Sequence, residues 1–373
     1  MEKRKWADVL HIVSGKNQKD VQNPNGKYPI YGSGGKMGYA DEYLCEPGTT
    51  IVGRKGTINR PIYVDEPFWN IDTAFGVTPD EGLDSKYLFY FCVHFNFMPL
   101  DKSTGRPSLA KSDLLKIEMP VPSIDEQHRI VSQIEELFSE LDNSVSTLQK
   151  TKEQLAVHRQ AVLKDAFKGN YNYEPLSTIS KAIGGYAFKS KMYSDSGKYI
   201  VVKIGNVKSQ GFDFTRDLTK TTECDKSILE KYLLKKGDCV ISLTGSRGKR
   251  DYGFVCIISD ENNYLVNQRV AALRFDTKRA LPEFYYYYLA SPLYRDDFFK
   301  YETGNVGQGN VGIKALIEPM VPVPSINEQE ELVTEIESRL SVCDSIEHTV
   351  DTALQQAETM RQSILKQAFE GRL

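Results

Sequence analysis

This 373-residue chain contains Pro120-Val121-Pro122-Ser123-Ile124-Asp125-Glu126-Gln127 and repeats it, 202 residues later, as Pro322-Val323-Pro324-Ser325-Ile326-Asn327-Glu328-Gln329. The match continues without a gap and ends at Leu163-Lys164, Ala166-Phe167 and Gly169, which recur as Leu365-Lys366, Ala368-Phe369 and Gly371. Self-similarity at a fixed offset indicates that one structural unit occurs twice. The two copies therefore divide the rest of the sequence into two parts.

Each copy has the signals of one long helix. Prolines precede it, a Ser-x-x-Glu capping box opens it and a glycine follows its last residues. The capping boxes are 123–126 and 325–328, and the terminal glycines are Gly169 and Gly371. At 1.5 Å per residue, a helix of about 45 residues is about 65 Å long, far longer than is usual in a globular domain.

Apolar residues in both copies recur at spacings of three and four residues or their sums, which predicts a coiled-coil seam. In the first copy they are Ile130, Ile134, Leu137, Leu141, Val145, Leu148, Thr151, Leu155, Val162 and Ala166. In the second copy they are Leu332, Ile336, Leu340, Cys343, Ile346, Val350, Ala353, Ala357, Met360, Ile364 and Ala368. If the helices share one seam, the second must run antiparallel to the first.

Residues 1–118 and 170–318, called here the first and second heads, differ in character from the repeats. Gly-rich turns, short β-branched and aromatic runs and the absence of a long period are typical of mixed α/β domains. We therefore predict an α+β or α/β multidomain protein, with its heads joined by long helices at 119–169 and 319–373. An antiparallel coiled coil would give it pseudo-twofold symmetry with heads at opposite ends, as in a dimeric DNA reader. Two unlike heads then imply two unlike half-sites.

The formal net charge of −3 is unusual for a nucleic-acid-binding protein, which generally has a basic face. The charge is unevenly distributed. In chain order, the first head, first helix, second head and second helix carry 0, −2, +5 and −6. The acidic excess therefore lies in the helices, and only the second head is basic.

A fainter repeat lies within the heads, where Thr50–Thr57 parallels Cys239–Gly248. In both, a short apolar strand leads into a glycine turn with cations. Glycine allows close approach of backbone to a ligand, and arginine and lysine reach phosphates or guanine edges. The alternative is a solvated β-hairpin. The candidate DNA-binding residues are Arg54, Lys55, Thr57, Thr244, Ser246, Arg247, Lys249 and Arg250.

A second parallel consists of an aromatic run followed by a polar turn. Tyr87–Phe91 precedes Thr104–Ser108, and Phe284–Leu289 precedes Thr303–Gln308. We interpret the aromatic runs as core helices. The turns carry side chains of the types that contact base edges. Further DNA-binding candidates are therefore Lys102, Arg106, Asn305 and Gln308, followed by Asn310.

The whole pattern resembles the specificity subunits of type I restriction-modification enzymes, in which two target recognition domains alternate with two long helices, the conserved spacers. The resemblance covers essentially the entire chain. Its most specific elements are the Pro-x-Pro-Ser-Ile-x-Glu-Gln helix starts and the Lys-x-Ala-Phe-x-Gly helix ends. Lys236–Ser242 and Val266–Val270 also resemble family segments.

The resemblance implies a non-catalytic subunit of a host-defence system that recognises a bipartite DNA target with one half-site per head. The basic N-terminus is interrupted at Asp8 and His11 before any apolar stretch long enough for a signal peptide, so a cytoplasmic location is expected. The implied partners are double-stranded DNA, two modification subunits beside the helices, and restriction subunits. Adenine methylation and DNA cleavage would be performed by those partners. S-adenosylmethionine would bind the modification subunits, and no cofactor or metal is expected on this chain.

Other classes of protein lack their signals in this sequence. No apolar run approaches the roughly 20 residues of a membrane helix, and the cysteines and histidines have no zinc-site or disulfide-framework spacing. Asn23-Pro24-Asn25-Gly26 lacks the second proline and the aromatic residue of an adenine site. Neither a glycine-rich S-adenosylmethionine loop nor clustered metal-binding carboxylates occur. A coiled-coil scaffold whose heads bind protein is the alternative.

Overall fold

A computed structural model describes residues 2–222, 224–260, 263–305 and 307–373. The chain forms two compact units, of which the first comprises Met1–Lys150 with Val350–Leu373 and the second comprises Thr151–Thr349. Each unit thus contains one head, the beginning of one long helix and the end of the other.

The first unit begins with short strands and ends its head with a strand that leads into a long helix. Its strands are β1 (Lys3–Lys5), β2 (Leu10–Ser14), β3 (Tyr28–Gly32), β4 (Gly35–Ala40), β5 (Thr49–Gly53), β6 (Ile62–Val64), β7 (Trp69–Asn70), β8 (Ala74–Pro79) and β9 (Glu118–Pro120). Its helices are α1 (Ser85–His94), α2 (Lys111–Leu114) and the long α3 (Ile124–Ala166), which continues into the second unit. Two single-turn 3-10 helices, Trp6–Asp8 and Met98–Leu100, complete it.

The second unit follows the same plan. Its strands are β10 (Tyr173–Pro175), β11 (Ser180–Gly184), β12 (Tyr199–Val202), β13 (Val207–Lys208), β14 (Gly211–Phe212), β15 (Lys220–Thr221), β16 (Cys239–Ser242), β17 (Thr244–Ser246), β18 (Val255–Ile257), β19 (Tyr264–Val266), β20 (Val270–Phe275), β21 (Gln308–Asn310) and β22 (Met320–Pro322). Its helices are α4 (Lys226–Tyr232), α5 (Pro282–Ala290), α6 (Pro292–Lys300), α7 (Ile313–Ile317) and the long α8 (Ile326–Glu370), which continues into the first unit. Short 3-10 turns lie at Leu176–Thr178, Ser190–Met192 and Ile204–Asn206.

The two heads share one sheet topology. An antiparallel sheet of order β2-β8-β5-β6 in the first has its counterpart in β11-β20-β16-β18 in the second. The sheets β4-β3-β7 and β15-β12-β19 also correspond, and each contains one parallel pair. The central β5 and β16 are rich in β-branched residues and buried along their whole length, as expected for strands covered on both faces.

The prediction of one long helix per repeat is confirmed by α3 and α8. At the start of α8, the Ser325 hydroxyl and backbone N–H both donate to the Glu328 carboxylate, so this capping box is confirmed. Gly371 follows α8 with φ +73 and is the predicted left-handed cap. The same prediction for Gly169 is wrong, because α3 ends earlier, at Ala166, and Gly169 does not have a positive φ.

Within each unit the long helices bury residues mostly at spacings of three, four or their sums, but the predictions for three seam residues are wrong. Leu137, Ile346 and Met360 are 36%, 41% and 55% exposed. The neighbouring Phe138 is buried instead, and Arg361 lies over its ring with the guanidinium carbon 4.5 Å from the ring centroid. The seam therefore includes a charged side chain that a search for apolar periodicity passes over.

Each head is fastened to the start of its long helix by a buried glutamine. The Gln127 side chain accepts a hydrogen bond from the Asp84 backbone N–H and donates to carbonyls that include Pro122. Gln329 accepts from the Leu281 N–H and donates to carbonyls that include Pro324. The repeated glutamine thus joins the loop before each aromatic helix to the proline turn before each long helix.

The aromatic helices α1 and α5 are core helices, as predicted. In the first unit, Tyr87 donates to the Pro120 carbonyl, and its ring lies 5.2 Å from that of Phe369 near the end of α8. In the second unit, Tyr285 donates to the Pro322 carbonyl, while Phe167 after α3 packs edge-on against Phe284 and Tyr288. The phenylalanine of each repeated helix end is therefore buried in a head.

Candidate nucleic-acid interface

In the first unit, the two segments predicted to bind DNA lie side by side. The loop after β5 and the turn at 101–108 are joined by an isolated bridge between Lys55 and Ser108. The Gly56 N–H donates to Pro107, and the Leu109 N–H donates to the Arg54 carbonyl. Residues about 50 positions apart in sequence thus form one polar surface.

The second unit joins the equivalent segments as a two-stranded antiparallel ribbon. β17 pairs with β21, with Thr244 opposite Asn310 and Ser246 opposite Gln308. The Val311 N–H donates to the Leu243 carbonyl, as the Leu109 N–H does to Arg54 in the first unit. Val306, in the middle of the predicted turn, lies outside the described residues.

These backbone bonds define structurally equivalent positions in the two heads. Arg54 corresponds to Leu243, since their N–H groups bond to the carbonyls of Thr73 and Arg269 respectively. By the same register, Arg106 corresponds to Gln308. The scaffold of the two surfaces is therefore the same, whereas the side chains that it presents differ.

The candidate cations of the first head are exposed or half-buried and partly paired. The Arg54 guanidinium lies 5.6 Å from the Phe75 ring centroid. The Lys55 ammonium is 3.9 Å from the Asp72 carboxylate. Thr57 and Arg106 are exposed. The Arg106 guanidinium lies so close to Gly56 that a Cβ added at Gly56 would collide with the guanidinium.

Lys102 is also exposed, and its ammonium lies 2.7 Å from the carboxylate of Asp113 in α2. Hydrogen bonds from Lys102 and Lys116 lower the pKa of Asp113. Asp101 fixes the turn by accepting from the N–H groups of Ser103 and Ser108, which lowers its pKa. The turn is thus held by local acceptors, and its outer side chains face solvent.

In the second head, Arg247, Lys249 and Arg250 are exposed in the loop after β17. Arg247 donates to the Gly304 carbonyl at 2.8 Å and so ties this loop to the turn at 303–308. Arg250 has φ +51, and its guanidinium is 3.0 Å from Asp296. Arg247 and Arg250 therefore also have a structural role in positioning the loop.

Two glycines of the ribbon are explained by close packing. Gly245 and Gly309 face each other, and a Cβ on either would collide with Tyr252. Tyr252 is buried, and its hydroxyl donates to Glu302 at 2.6 Å. Burial and this carboxylate raise the pKa of Tyr252. The glycines are therefore required by the tyrosine beneath the ribbon.

The structure adds two residues that the predicted site did not include. The Ser33 hydroxyl, in the turn between β3 and β4, donates to the Lys55 carbonyl at 2.8 Å. Arg269, in the turn between β19 and β20, lines a cavity of about 350 Å³ with Thr244, Asn305, Gln308 and Asn310. Arg269 lies in Val266–Val270, one of the segments noted in the sequence, but nothing in that segment indicates its partners.

Among the described residues, His, Cys, Asp and Glu side chains form no cluster of three or more that is suited to a metal ion. Over the same residues, no helix has the length and apolar character needed to cross a membrane.

Comparison with known proteins gives the family. The DNA specificity domain of type I restriction modification matches this chain twice, at residues 1–155 and 169–356. Each of the two matches contains one of the repeated heads. The chain belongs to the type I restriction-modification DNA specificity family.

Individual relatives agree with this membership. The chain is 25% identical over 360 residues to the EcoBI specificity subunit of Escherichia coli, covering 89% of this chain and 75% of that one. It is 27% identical over 346 residues to the EcoKI specificity subunit of Escherichia coli strain K12, covering 86% and 73%.

Solved structures show the same fold. One chain from a study of complex assembly and conformational transition of the type I R-M system aligns over 100% of this chain and 98% of its own length, with 15% identity and a TM-score of 0.74. The HsdS subunit from Thermoanaerobacter tengcongensis aligns over 100% and 97%, with 15% identity and a TM-score of 0.53.

Proposed function

We propose that each head reads one half-site of a bipartite DNA target through its paired loops. The main observation is that equivalent backbone hydrogen bonds join the loops in both heads, whereas the side chains on those loops differ. One scaffold that presents the exposed Arg106 in one head and the exposed Gln308 in the other is what two readers of unlike sequences require.

The residues proposed to contact DNA in the first head are Arg54, Lys55, Thr57, Lys102 and Arg106. In the second head they are Thr244, Ser246, Arg247, Lys249, Arg250, Asn305 and Gln308. Most are exposed or half-exposed donors on the joined loops, which supports contacts to phosphates and base edges. Thr244 is buried, and its hydroxyl donates to Asn310, so its role would be to orient that amide.

We further propose that α3 and α8 form an antiparallel coiled coil that spaces the heads, with domain bounds at 1–118, 119–169, 170–318 and 319–373. Support comes from contacts within each unit. Arg159 of α3 pairs with Asp344 of α8 in the second unit, and Arg361 of α8 pairs with Asp142 of α3 in the first. Such reciprocal contacts are expected about a pseudo-twofold axis.

In this proposal the chain has no catalytic centre. Two modification subunits dock beside the long helices and carry S-adenosylmethionine, and restriction subunits join them to cleave double-stranded DNA in the cytoplasm. The acidic charge of the helices supports contact with protein rather than with DNA along their length. DNA would then be bound by the heads together with the modification subunits.

Replacing residues 170–318 by the corresponding head of another specificity subunit tests this function. The variant is expressed with its modification subunits, and methylated adenines are mapped in the host genome. We expect one half of the methylated sequence to change and the other to stay the same, which also serves as the internal control. A change in both halves together, or in neither, would contradict separate reading.

A scaffold with protein-binding heads is the competing function. It predicts that the complex with modification subunits binds DNA no better than those subunits alone and that the head swap has no effect on methylation. A DNA affinity that falls steeply with salt only when this chain is present would exclude it.

A further inference from the structure

The backbone of Arg269 lies in a region that arginine rarely adopts. Its φ is +68, in the left-handed region that favours glycine. The conformation is held from both sides, because the Leu243 N–H donates to the Arg269 carbonyl and the Gln268 N–H donates to the Tyr186 carbonyl. An arginine is thus fixed at a position whose backbone geometry favours a residue without a side chain.

The equivalent position in the first head has no such strain. The Thr73 carbonyl accepts from the Arg54 N–H just as the Arg269 carbonyl accepts from the Leu243 N–H. The φ of Thr73 is not positive. The left-handed arginine is therefore a property of one head and not of the shared scaffold.

The Arg269 side chain is exposed and has no hydrogen bond or ion pair to another described residue. It faces a cavity with Asn305, Gln308 and Asn310. The Thr244 hydroxyl donates to Asn310 Oδ1 at 2.8 Å, which leaves the Asn310 amino group as the outward donor. Arginine has donors only. The cavity therefore combines a free guanidinium with an oriented amide donor.

We propose that Arg269 is a specificity-determining residue that reads a guanine in the half-site of the second head. This inference rests on the proposed function and names the base at that surface. Guanine presents two acceptors, N7 and O6, in the major groove, and no other base presents two there. A guanidinium fork makes two parallel bonds to such a pair of acceptors.

A phosphate is the other ligand that such donors can bind. A guanine is favoured because the Arg269 backbone and the Asn310 amide are both held in place beside one cavity, and donors at fixed positions suit a base edge of defined geometry. The two ligands also predict different results. Loss of a phosphate contact weakens binding to all sequences, and loss of a base contact relaxes one position of the target.

The test uses the full chain with its modification subunits, methylation mapping in a host genome, and two variants. Arg269→Lys retains a cation but loses the fork. Arg269→Gly removes the side chain at a φ that glycine adopts freely, so it should not lower the melting temperature. Lys278→Ala is the control, because Lys278 is exposed beyond the opposite end of β20.

Both Arg269 variants should lose discrimination for guanine at one position of the second half-site, by about tenfold to 100-fold. The first half-site and the Lys278→Ala pattern should stay as in the parent. An unchanged motif, or methylation lowered equally at all sites, would overturn the guanine assignment. Neither of those results touches the proposed function, which fails if exchange of the whole head changes both halves of the motif together or changes neither.

Discussion

Arg159 and Asp344 form an ion pair 2.6 Å long in the second unit, and each has a counterpart 202 residues away in the sequence that forms the same pair in the first unit. The counterpart of Arg159 is Arg361, and that of Asp344 is Asp142. An isologous contact has this form, in which residue i meets j and the copy of j meets the copy of i. Charged groups at a helix interface favour one register over others.

The pair in the first unit predicts a charge-reversal result. Arg361→Glu would face Asp142 with a like charge and would also remove the contact with the Phe138 ring. We expect a loss of about 1 to 2 kcal/mol in the free energy of unfolding. The double variant Arg361→Glu with Asp142→Arg should recover part of it in thermal melts. Equal melting temperatures for the single and double variants would show that the charges at 142 and 361 do not stabilise the fold through each other.

Gln127→Leu should destabilise the first unit more than any exposed substitution on α3. It leaves the half-buried Asp84 N–H and Pro122 carbonyl without this partner, which costs about 1 to 3 kcal/mol. Urea unfolding measures this. Gln149→Leu, at an exposed position of the same helix, is the matched control and should change stability by less than about 0.5 kcal/mol. Equal effects would mean that Gln127 does not anchor the head.

His94 predicts a pH dependence of stability. Its ring stacks on Phe369 at 5.5 Å, and burial lowers its pKa below the ordinary 6.5. The unfolded chain therefore binds this proton more readily than the folded chain, so stability is fully present above about pH 6.5 and falls as the pH is lowered. His94→Phe should reduce the difference in melting temperature between pH 5.5 and 7.5. His158→Phe, at an exposed position, should leave it unchanged.

Alanine at Lys55 or Lys249 should weaken DNA binding by the assembled complex with little change in melting temperature. Arg54→Ala and Arg247→Ala should do the same with some loss of stability, because these arginines also contact Phe75 and Gly304. Losing a base contact costs about 1 to 3 kcal/mol of discrimination, and losing a phosphate contact weakens all sequences alike. Unchanged affinity in all four variants would place the DNA elsewhere.

We expect the long helices to set the distance between the two half-sites. Four residues inserted near Thr147 add about 6 Å of rise and about one turn, so the seam is nearly restored. Because base pairs are about 3.4 Å apart, the methylated target should gain one or two base pairs of spacer with both half-sites unchanged. Two inserted residues turn the seam by about 200° and should prevent assembly. An active four-residue variant with the original spacer would show that the helices do not set the distance.

The sequence by itself determined the repeat, the two long helices and the polar loops of the heads, because capping boxes, heptad spacing and glycine turns are local signals. It also aligned Thr50–Thr57 with Cys239–Gly248, and the equivalent backbone bonds agree with that alignment. It misassigned Leu137, Ile346 and Met360. For Leu137 and Met360 the reason is that apolar periodicity cannot detect the contact between the neighbouring Phe138 and Arg361 across two helices.

Only the tertiary structure decided which distant residues meet. The pairing of Thr244 with Asn310, the bridge from Ser33 to Lys55 and the exposure of Arg269 beside Gln308 depend on contacts between segments far apart in the chain. No local pattern encodes such contacts, because they are set by how the sheets and turns pack once the heads have folded. The left-handed backbone of Arg269 is likewise imposed by bonds to Leu243 and not by its own preference.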